Sequence, residues 1–113
     1  NGKKSYEVTY KNGFKEGKEV YYFSNGKVYL EFNYVKNFLD GVCKVFYSNG
    51  KLKSEGVYYN NELNGEYKEY HSNGKLKKSA NYILDSLYGW VKEFDKYGRL
   101  KSKKYYYNDM QVN

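Results

Sequence analysis

The sequence predicts an all-β fold: an elongated, single-layer antiparallel sheet of tandem β-hairpins, with about nine strands and no substantial helix. Three observations carry this prediction. The tripeptide Asn-Gly-Lys recurs at Asn1, Asn25, Asn49 and Asn73, always 24 residues apart, with Tyr97-Gly98-Arg99 as a degenerate fifth copy. The runs between these points are rich in Tyr, Phe and Val, and Asn-Gly between such runs is a strong hairpin signal. No Pro is present and no apolar pattern at i, i+3, i+4 is sustained, so nothing requires a helix.

Aligned on that period, the chain divides into units 1–24, 25–48, 49–72 and 73–96 and a partial unit 97–113, in one domain and without insertion or deletion. Position ten of every unit is tyrosine (Tyr10, Tyr34, Tyr58, Tyr82, Tyr106). Position seventeen of every full unit is glycine (Gly17, Gly41, Gly65, Gly89), and position twenty-two is aromatic (Tyr22, Phe46, Tyr70, Phe94). Each unit reads as two short strands. The Asn-Gly pair joins one unit to the next through a type I′ turn, which needs positive φ at both central residues.

Taken in order, the first junction is expected to pair Phe23 with Val28 and Gly17 with Tyr34. The second pairs Tyr47 with Leu52, Lys44 with Glu55, Cys43 with Gly56 and Gly41 with Tyr58. The third pairs Glu69 with Lys78, Tyr67 with Ala80 and Gly65 with Tyr82, and the fourth pairs Gly89 with Tyr106. Glycine thus faces the repeated tyrosine every time, where a ring can cover bare backbone. The remaining pairs agree in size or charge, and a slip of one residue loses most of them.

Alternation along each strand sorts the side chains onto two faces. One is expected to hold Leu52, Leu76, Leu100, Phe32, Val91 and the tyrosine column. The other, more polar, holds Lys44, Lys68, Lys92, Glu31 and Glu55 with the aromatic column of Phe46, Tyr70 and Phe94. A lone hairpin buries little, so neighbouring units supply the burial each lacks. A start at Asn1 without Met, no signal-peptide pattern and a stop within the fifth unit are expected of a piece of a longer array.

Composition narrows the classes further. Leu, Ile, Val and Phe number 24 of 113 residues, close to the level at which a charged chain stays disordered. The 17 tyrosines tip the balance, because each large ring covered on folding buries on the order of 150–250 Å². Cys43 is alone, which excludes an internal disulfide. No run approaches the roughly 18 apolar residues of a spanning helix. Cysteine usage fits the cytoplasm or an exported protein that avoids cysteine. The reading leans to an exported or cell-surface protein without fixing the compartment.

No catalytic, metal or cofactor site is expected. His71 and Cys43 are the only residues of their kinds and stand a repeat apart, roughly 10 Å at the spacing of neighbouring strands, too far for a nucleophile and its base. Clustered His or Cys ligands are absent from the sequence. Glu62 with Glu66 and Asp85 with Asp95 fall in loop and surface positions, where solvation explains them. The glycines lie in hairpin signals without the spacing of a phosphate loop.

The segments NGKLKSEGVYYNNELNGEYKEY at Asn49–Tyr70 and NGKLKKSANYILDSLYGWVKEF at Asn73–Phe94 resemble the bacterial variant of the MORN repeat, roughly NGK-L-x-x-E-x-x-Y followed by x-N-G-x-x-x-G-x-W/Y. All five units fit, so the resemblance covers the whole chain. Lys4 and Lys15 depart from the usual apolar residue, and Ser79 and Lys103 from the usual Glu. The resemblance implies a non-enzymatic, elongated hairpin array, of a kind associated with protein scaffolding and, in some members, with membranes or phospholipids. The bacterial variant also occurs in antitoxin-like and cell-surface proteins.

Charge and aromatic content suggest where a partner would sit. The net charge of +7 sums from +2, +1, −1, +2 and +3 over the successive units, so the excess lies at the ends. Its densest part is Arg99, Lys101, Lys103 and Lys104 beside Tyr105, Tyr106 and Tyr107. Lysines beside aromatic rings also suit nucleic acid, but the uneven charge argues against it. Tyr59, Tyr67, Tyr88 and Tyr105 lie off the regular column and are candidate contacts, since tyrosine offers large area at low entropy cost. The expected function is a protein-interaction or scaffold module of a cell-surface or toxin-neutralising protein. The alternative is a peripheral binder of anionic membrane lipid, and the open edges allow self-association.

Overall fold

A computed structural model describes residues 5–112. The first Asn-Gly-Lys copy and Lys4 lie outside the described residues. The described chain is one open antiparallel sheet of twelve strands without helix. The strands are β1 (Tyr6–Lys11), β2 (Phe14–Tyr22), β3 (Val28–Val35), β4 (Phe38–Leu39), β5 (Gly41–Phe46) and β6 (Leu52–Tyr59). They continue as β7 (Glu62–Tyr70), β8 (Leu76–Ile83), β9 (Ser86–Leu87), β10 (Gly89–Phe94), β11 (Leu100–Tyr107) and β12 (Met110–Val112). The spatial order is β1-β2-β3-β5-β6-β7-β8-β10-β11-β12, with β4 on β3 and β9 on β8. Every neighbour on this path is thus the next strand in sequence, apart from the short β4 and β9, which are passed over between β3 and β5 and between β8 and β10.

Twelve strands replace the expected nine for two reasons. The fifth unit closes its own hairpin with β12, and the second strand of units two and four is cut in two. At the cuts the Asp40 and Tyr88 amides donate to Asn33 O at 2.9 Å and Asn81 O at 3.0 Å, outside the regular ladder. The sheet measures 51 × 33 × 12 Å, so it is one layer thick. Its radius of gyration is 16.2 Å, against about 13 Å for a compact domain of this length.

Two kinds of turn alternate. Between units, Tyr47 N donates to Lys51 O at 2.8 Å and Gly50 N to Tyr47 O at 2.9 Å, and Gly50 alone has positive φ, at 92°. Phe23, His71 and Asp95 open equivalent loops. Asn-Gly therefore ends a three-residue loop with left-handed Gly, not the expected type I′ turn. The longer loop shifts the nearby register: Phe46, not Tyr47, pairs with Leu52, and Tyr22, not Phe23, pairs with Val28. Lys53 then bulges from β6, as Tyr29, Lys77 and Lys101 do from β3, β8 and β11, and pairing returns to the expected register. Gly17, Gly41, Gly65 and Gly89 face Tyr34, Tyr58, Tyr82 and Tyr106 as expected. Cross-strand partners share a face, so the bulge carries Leu52, Leu76 and Leu100 onto the face of Phe46, Tyr70 and Phe94, opposite to their expected side.

The two-residue turns lie within the units. Positive φ at both central residues marks Asn12-Gly13, Lys36-Asn37, Asn60-Asn61, Leu84-Asp85 and Asn108-Asp109 as the type I′ turns. Behind each of the first four, the glycine of position seventeen sits in a bulge. Asn64, Gly65 and Glu66 stand opposite Val57 alone, with Gly65 at φ 134°. That left-handed backbone is what requires glycine. A Cβ on Gly17 or Gly89 would meet nothing within 4 Å, so no ring covers these positions as the sequence suggested.

Both margins of the ribbon are clipped by side chains. On the turn side, Leu39 N donates to Asn61 Oδ1 at 2.7 Å and Asn61 N to Leu39 O at 3.0 Å. Asn37, Asp85 and Asp109 repeat this on Lys15, Leu63 and Leu87. On the loop side, Asn73 Oδ1 accepts Lys75 N at 2.9 Å while its Nδ2 donates to Lys96 O of the next loop at 2.8 Å. Lys27, Lys51 and Lys75 reach the next loop's carbonyls at 3.3–3.4 Å. The Asn and Lys of the repeated tripeptide thus join unit to unit.

Two stability changes follow. Asn61→Ala, which removes one clip, is expected to cost about 1 kcal/mol in urea unfolding. Gly65→Ala is expected to cost more than Gly89→Ala, which incurs only about 1–2 kcal/mol of left-handed strain, because the new Cβ lies 3.1 Å from Val57 Cβ. Wild-type midpoints for these variants would refute the clip and the bulge respectively.

Candidate interaction faces of the sheet

The face that carries Tyr34, Tyr58, Tyr82 and Tyr106 is the tyrosine face. Its centre is a row that crosses the sheet: Cys43 faces Gly56, Gly56 faces Tyr67 and Tyr67 faces Ala80, with Val91 beyond. Cys43, Gly56, Ala80 and Val91 are buried, and small residues alternate with the large ring of Tyr67. A Cβ on Gly56 would lie 3.1 Å from the Tyr67 ring and 3.0 Å from Leu63 Cδ2, so Gly56 is a glycine that aromatic rings cover. Tyr67 donates to Glu69 at 2.7 Å and packs edge-on against Tyr82. Burial first, and then Glu69, push its hydroxyl pKa upward. Tyr67 is therefore part of the row rather than a free contact.

At the N-terminal end the same row holds a carboxylate. Glu19 is 2% exposed and accepts from Tyr6 OH at 2.5 Å, Lys15 Nζ at 2.9 Å and Tyr34 OH at 2.9 Å. Burial raises its pKa, but these three donors outweigh that and hold it below the ordinary value. Tyr6 is pushed up by its bond to Glu19 and then by burial, and Tyr34 to about 12 by burial and then Glu19. One acid thus ties β1, β2 and β3 together. The sequence signal was a Glu where other units place Cys43, Tyr67 and Val91.

The groups with catalytic potential each have surroundings that the structure defines. His71 Nε2 lies 2.9 Å from Phe94 O, a carbonyl that only accepts, so this nitrogen carries the proton. Cys43 is buried, which pushes its thiol pKa upward. Asp85 accepts Leu63 N, Asp95 accepts Tyr97 N and Arg99 N, and Glu66 lies 3.8 Å from Lys68. Among the described residues no three His, Cys, Asp or Glu side chains converge as a metal site.

The opposite, lysine face is where large apolar side chains meet solvent. The residue before each type I′ turn from unit two onward is apolar and exposed: Val35, Tyr59, Ile83 and Tyr107 are 47, 57, 52 and 67% exposed. Phe38 pairs with Val35 and Met110 with Tyr107, widening the row. An open groove of 270 Å³ separates unit two from unit three, with Val35, Phe38 and Tyr59 in its lining. Of the candidate contacts, Tyr59 and Tyr105 belong to this face, and Tyr88 packs edge-on against Tyr107 at 5.3 Å.

The expected C-terminal basic patch is divided by the strand. Arg99 closes on Asp95 at 3.0 Å, while Lys104 pairs with Val91 of the tyrosine face. Lys103 lies on the lysine face, 4.3 Å above the Trp90 ring, which packs against Tyr105 at 5.0 Å. Lys101 is the bulged residue of β11. The structure thus joins Lys103 and Tyr105 through Trp90, which the sequence did not single out, keeps Lys104 in the lining of the same groove, and leaves Arg99 and Lys101 apart from them.

The Glu19 cluster fixes the pH dependence. Glu19 has a lowered pKa in the fold, so its contribution is complete above the unfolded value of about 4.3 and is lost as pH falls through the folded value. Tyr6 and Tyr34 are displaced upward, so their share is complete below about 10 and is lost as pH rises through the folded values. Glu19→Gln is expected to destabilise the protein by about 1–3 kcal/mol at neutral pH and to flatten the acid limb of melting temperature against pH. An acid limb unchanged in the variant would refute this role.

Comparison with known proteins agrees with this architecture. A family model described as MORN repeat variant matches residues 15–36, 39–61 and 63–83, units that begin 24 residues apart. Comparison with curated proteins finds no match. Among solved structures, a mutant of TarM from S. aureus in complex with fondaparinux, alpha-GlcNAc-glycerol and UDP is similar at 12% identity and a TM-score of 0.54. A crystal structure of TarM gives 12% and 0.52. Each match covers 96% of this chain and 21% of that chain, so the chain spans about a fifth of their length. With its three matched units, which take up more than half of its length, lying in the clipped hairpin array, the chain belongs to the MORN repeat variant family.

Proposed function

We propose that this array is a non-enzymatic scaffold that binds another protein across its lysine face. The observation that supports the reading is the exposed apolar row of Val35, Tyr59, Ile83 and Tyr107, repeated once per unit from the second unit onward on a clipped sheet. MORN repeats generally mediate protein or membrane-lipid interactions, and rigid apolar and aromatic anchors fit the first of these. His71 and Cys43 have structural surroundings of their own, which supports a binding role over a catalytic one. The similar TarM structures hold such a sheet in about a fifth of a longer chain. By analogy the array is one module of a larger cell-surface or toxin-neutralising protein.

Photo-crosslinking tests the reading. A photoreactive residue at Tyr59 is expected to capture a protein from the source cells, and one at Tyr67 on the opposite face is not. The double variant Tyr59→Ser, Ile83→Ser is expected to stay within about 0.5–1 kcal/mol of wild type and to lose the captured protein. Flotation with anionic vesicles, without any protein adduct at Tyr59, would replace this reading by lipid binding.

A further inference from the structure

We propose that the C-terminal end of the lysine face docks an acidic segment of the partner protein, an inference that rests on the protein-binding reading and specifies the partner's chemistry. In units two and three the face balances its own charge. Glu31 pairs with Lys44, Lys44 with Glu55 and Glu55 with Lys68 across successive strands. The position that holds Glu7, Glu31 and Glu55 then holds Ser79 and Lys103. Lys92 consequently sits between Ser79 on β8 and Lys103 on β11. The one carboxylate in β8, β10 and β11 is Glu93, which faces Ser102 and Lys78 on the opposite side of the sheet.

Like charges directly opposite one another on a sheet repel. Among the described residues neither Lys92 nor Lys103 has a carboxylate at ion-pair distance, whereas Lys68 has Glu66 at 3.8 Å and Lys18 has Glu31 at 3.1 Å. Beside the lysine pair lies an open groove of 430 Å³ lined by Trp90, Tyr105, Val112 and Lys103 among others. Trp90, Tyr105 and Val112 are 45, 41 and 47% exposed, a concentrated apolar anchor. A carboxylate between Lys92 and Lys103, followed by an apolar side chain against Trp90 and Tyr105, satisfies both features at once. Polybasic attachment to a membrane surface uses clusters of about four to eight basic residues. Two facing lysines beside an open groove with an aromatic wall suit an acidic peptide better.

Trp90 is the only tryptophan, so its fluorescence reports the site directly. The probes are a capped peptide that alternates Glu and Leu, its Gln-Leu counterpart, and phosphatidylserine–phosphatidylcholine vesicles. The Glu-Leu peptide is expected to shift Trp90 emission saturably, with an affinity that falls as salt rises. The Gln-Leu peptide is expected to bind about tenfold more weakly. Lys103→Glu is expected to keep the wild-type melting temperature and to lose the response to Glu-Leu. Equal affinity for the two peptides, an unchanged response of Lys103→Glu, or a shift with vesicles alone would each overturn the proposal. If the captured partner is lost from the Tyr59→Ser, Ile83→Ser variant but kept by Lys103→Glu, the acidic site fails while protein binding stands. If Glu-Leu binds at Trp90 but nothing is captured at Tyr59, the acidic site stands and the extended binding row fails.

Discussion

From the second unit onward, each type I′ turn is closed onto the preceding unit by one Asn or Asp, whose amide donates to a backbone carbonyl while its side-chain oxygen accepts from the same residue's amide. This clip does the work of a further strand at the margin, where the glycine bulge has broken the ladder and backbone groups would otherwise lack partners. It also explains the residue type. Asn and Asp tolerate left-handed backbone better than other side chains and carry an acceptor at the right reach. The first turn, which has no preceding unit among the described residues, has Gly13 at the same position. A matching clip from the Asn of the repeated tripeptide holds the other margin. An insertion anywhere within a unit would misalign both, which is why the period of 24 stays unbroken.

Burial contributes to this frame through one narrow row on the tyrosine face. A layer 12 Å thick cannot enclose a core, so the tightest packing lies where small residues in neighbouring strands flank the Tyr67 ring. Glu19 at the N-terminal end shows what the row tolerates: a buried carboxylate, provided that three donors reach it. Because each unit leans only on its neighbours, stability is expected to accumulate unit by unit as in other solenoids.

Function is drawn from what this frame leaves uncovered. The lysine face keeps tyrosine, isoleucine, valine and tryptophan in solvent, while the margins fix the backbone that carries them. A preorganised aromatic surface loses little entropy on binding. Many of the lysines that make the chain basic are already engaged: Lys27, Lys51 and Lys75 with loop carbonyls, and Lys15 and Lys18 with carboxylates. The 20 Lys and Arg side chains therefore overstate the number of cationic groups free to contact a partner.

The sequence by itself determined the all-β class, the period, and the pairing of Gly17, Gly41, Gly65 and Gly89 with their tyrosines, because side-chain alternation and pair matching are local and repeat along the chain. Turn type, the side taken by Leu52, Leu76 and Leu100, and the role of the repeated glycines were decided only in the assembled sheet. A type I′ turn at Lys36-Asn37 or Leu84-Asp85 carries little local signature, since the left-handed backbone there is held by bonds to the preceding unit. Glu19 and Trp90 were equally hidden. Their partners Tyr34 and Tyr105 stand 15 residues away in sequence, and only strand pairing brings them within reach.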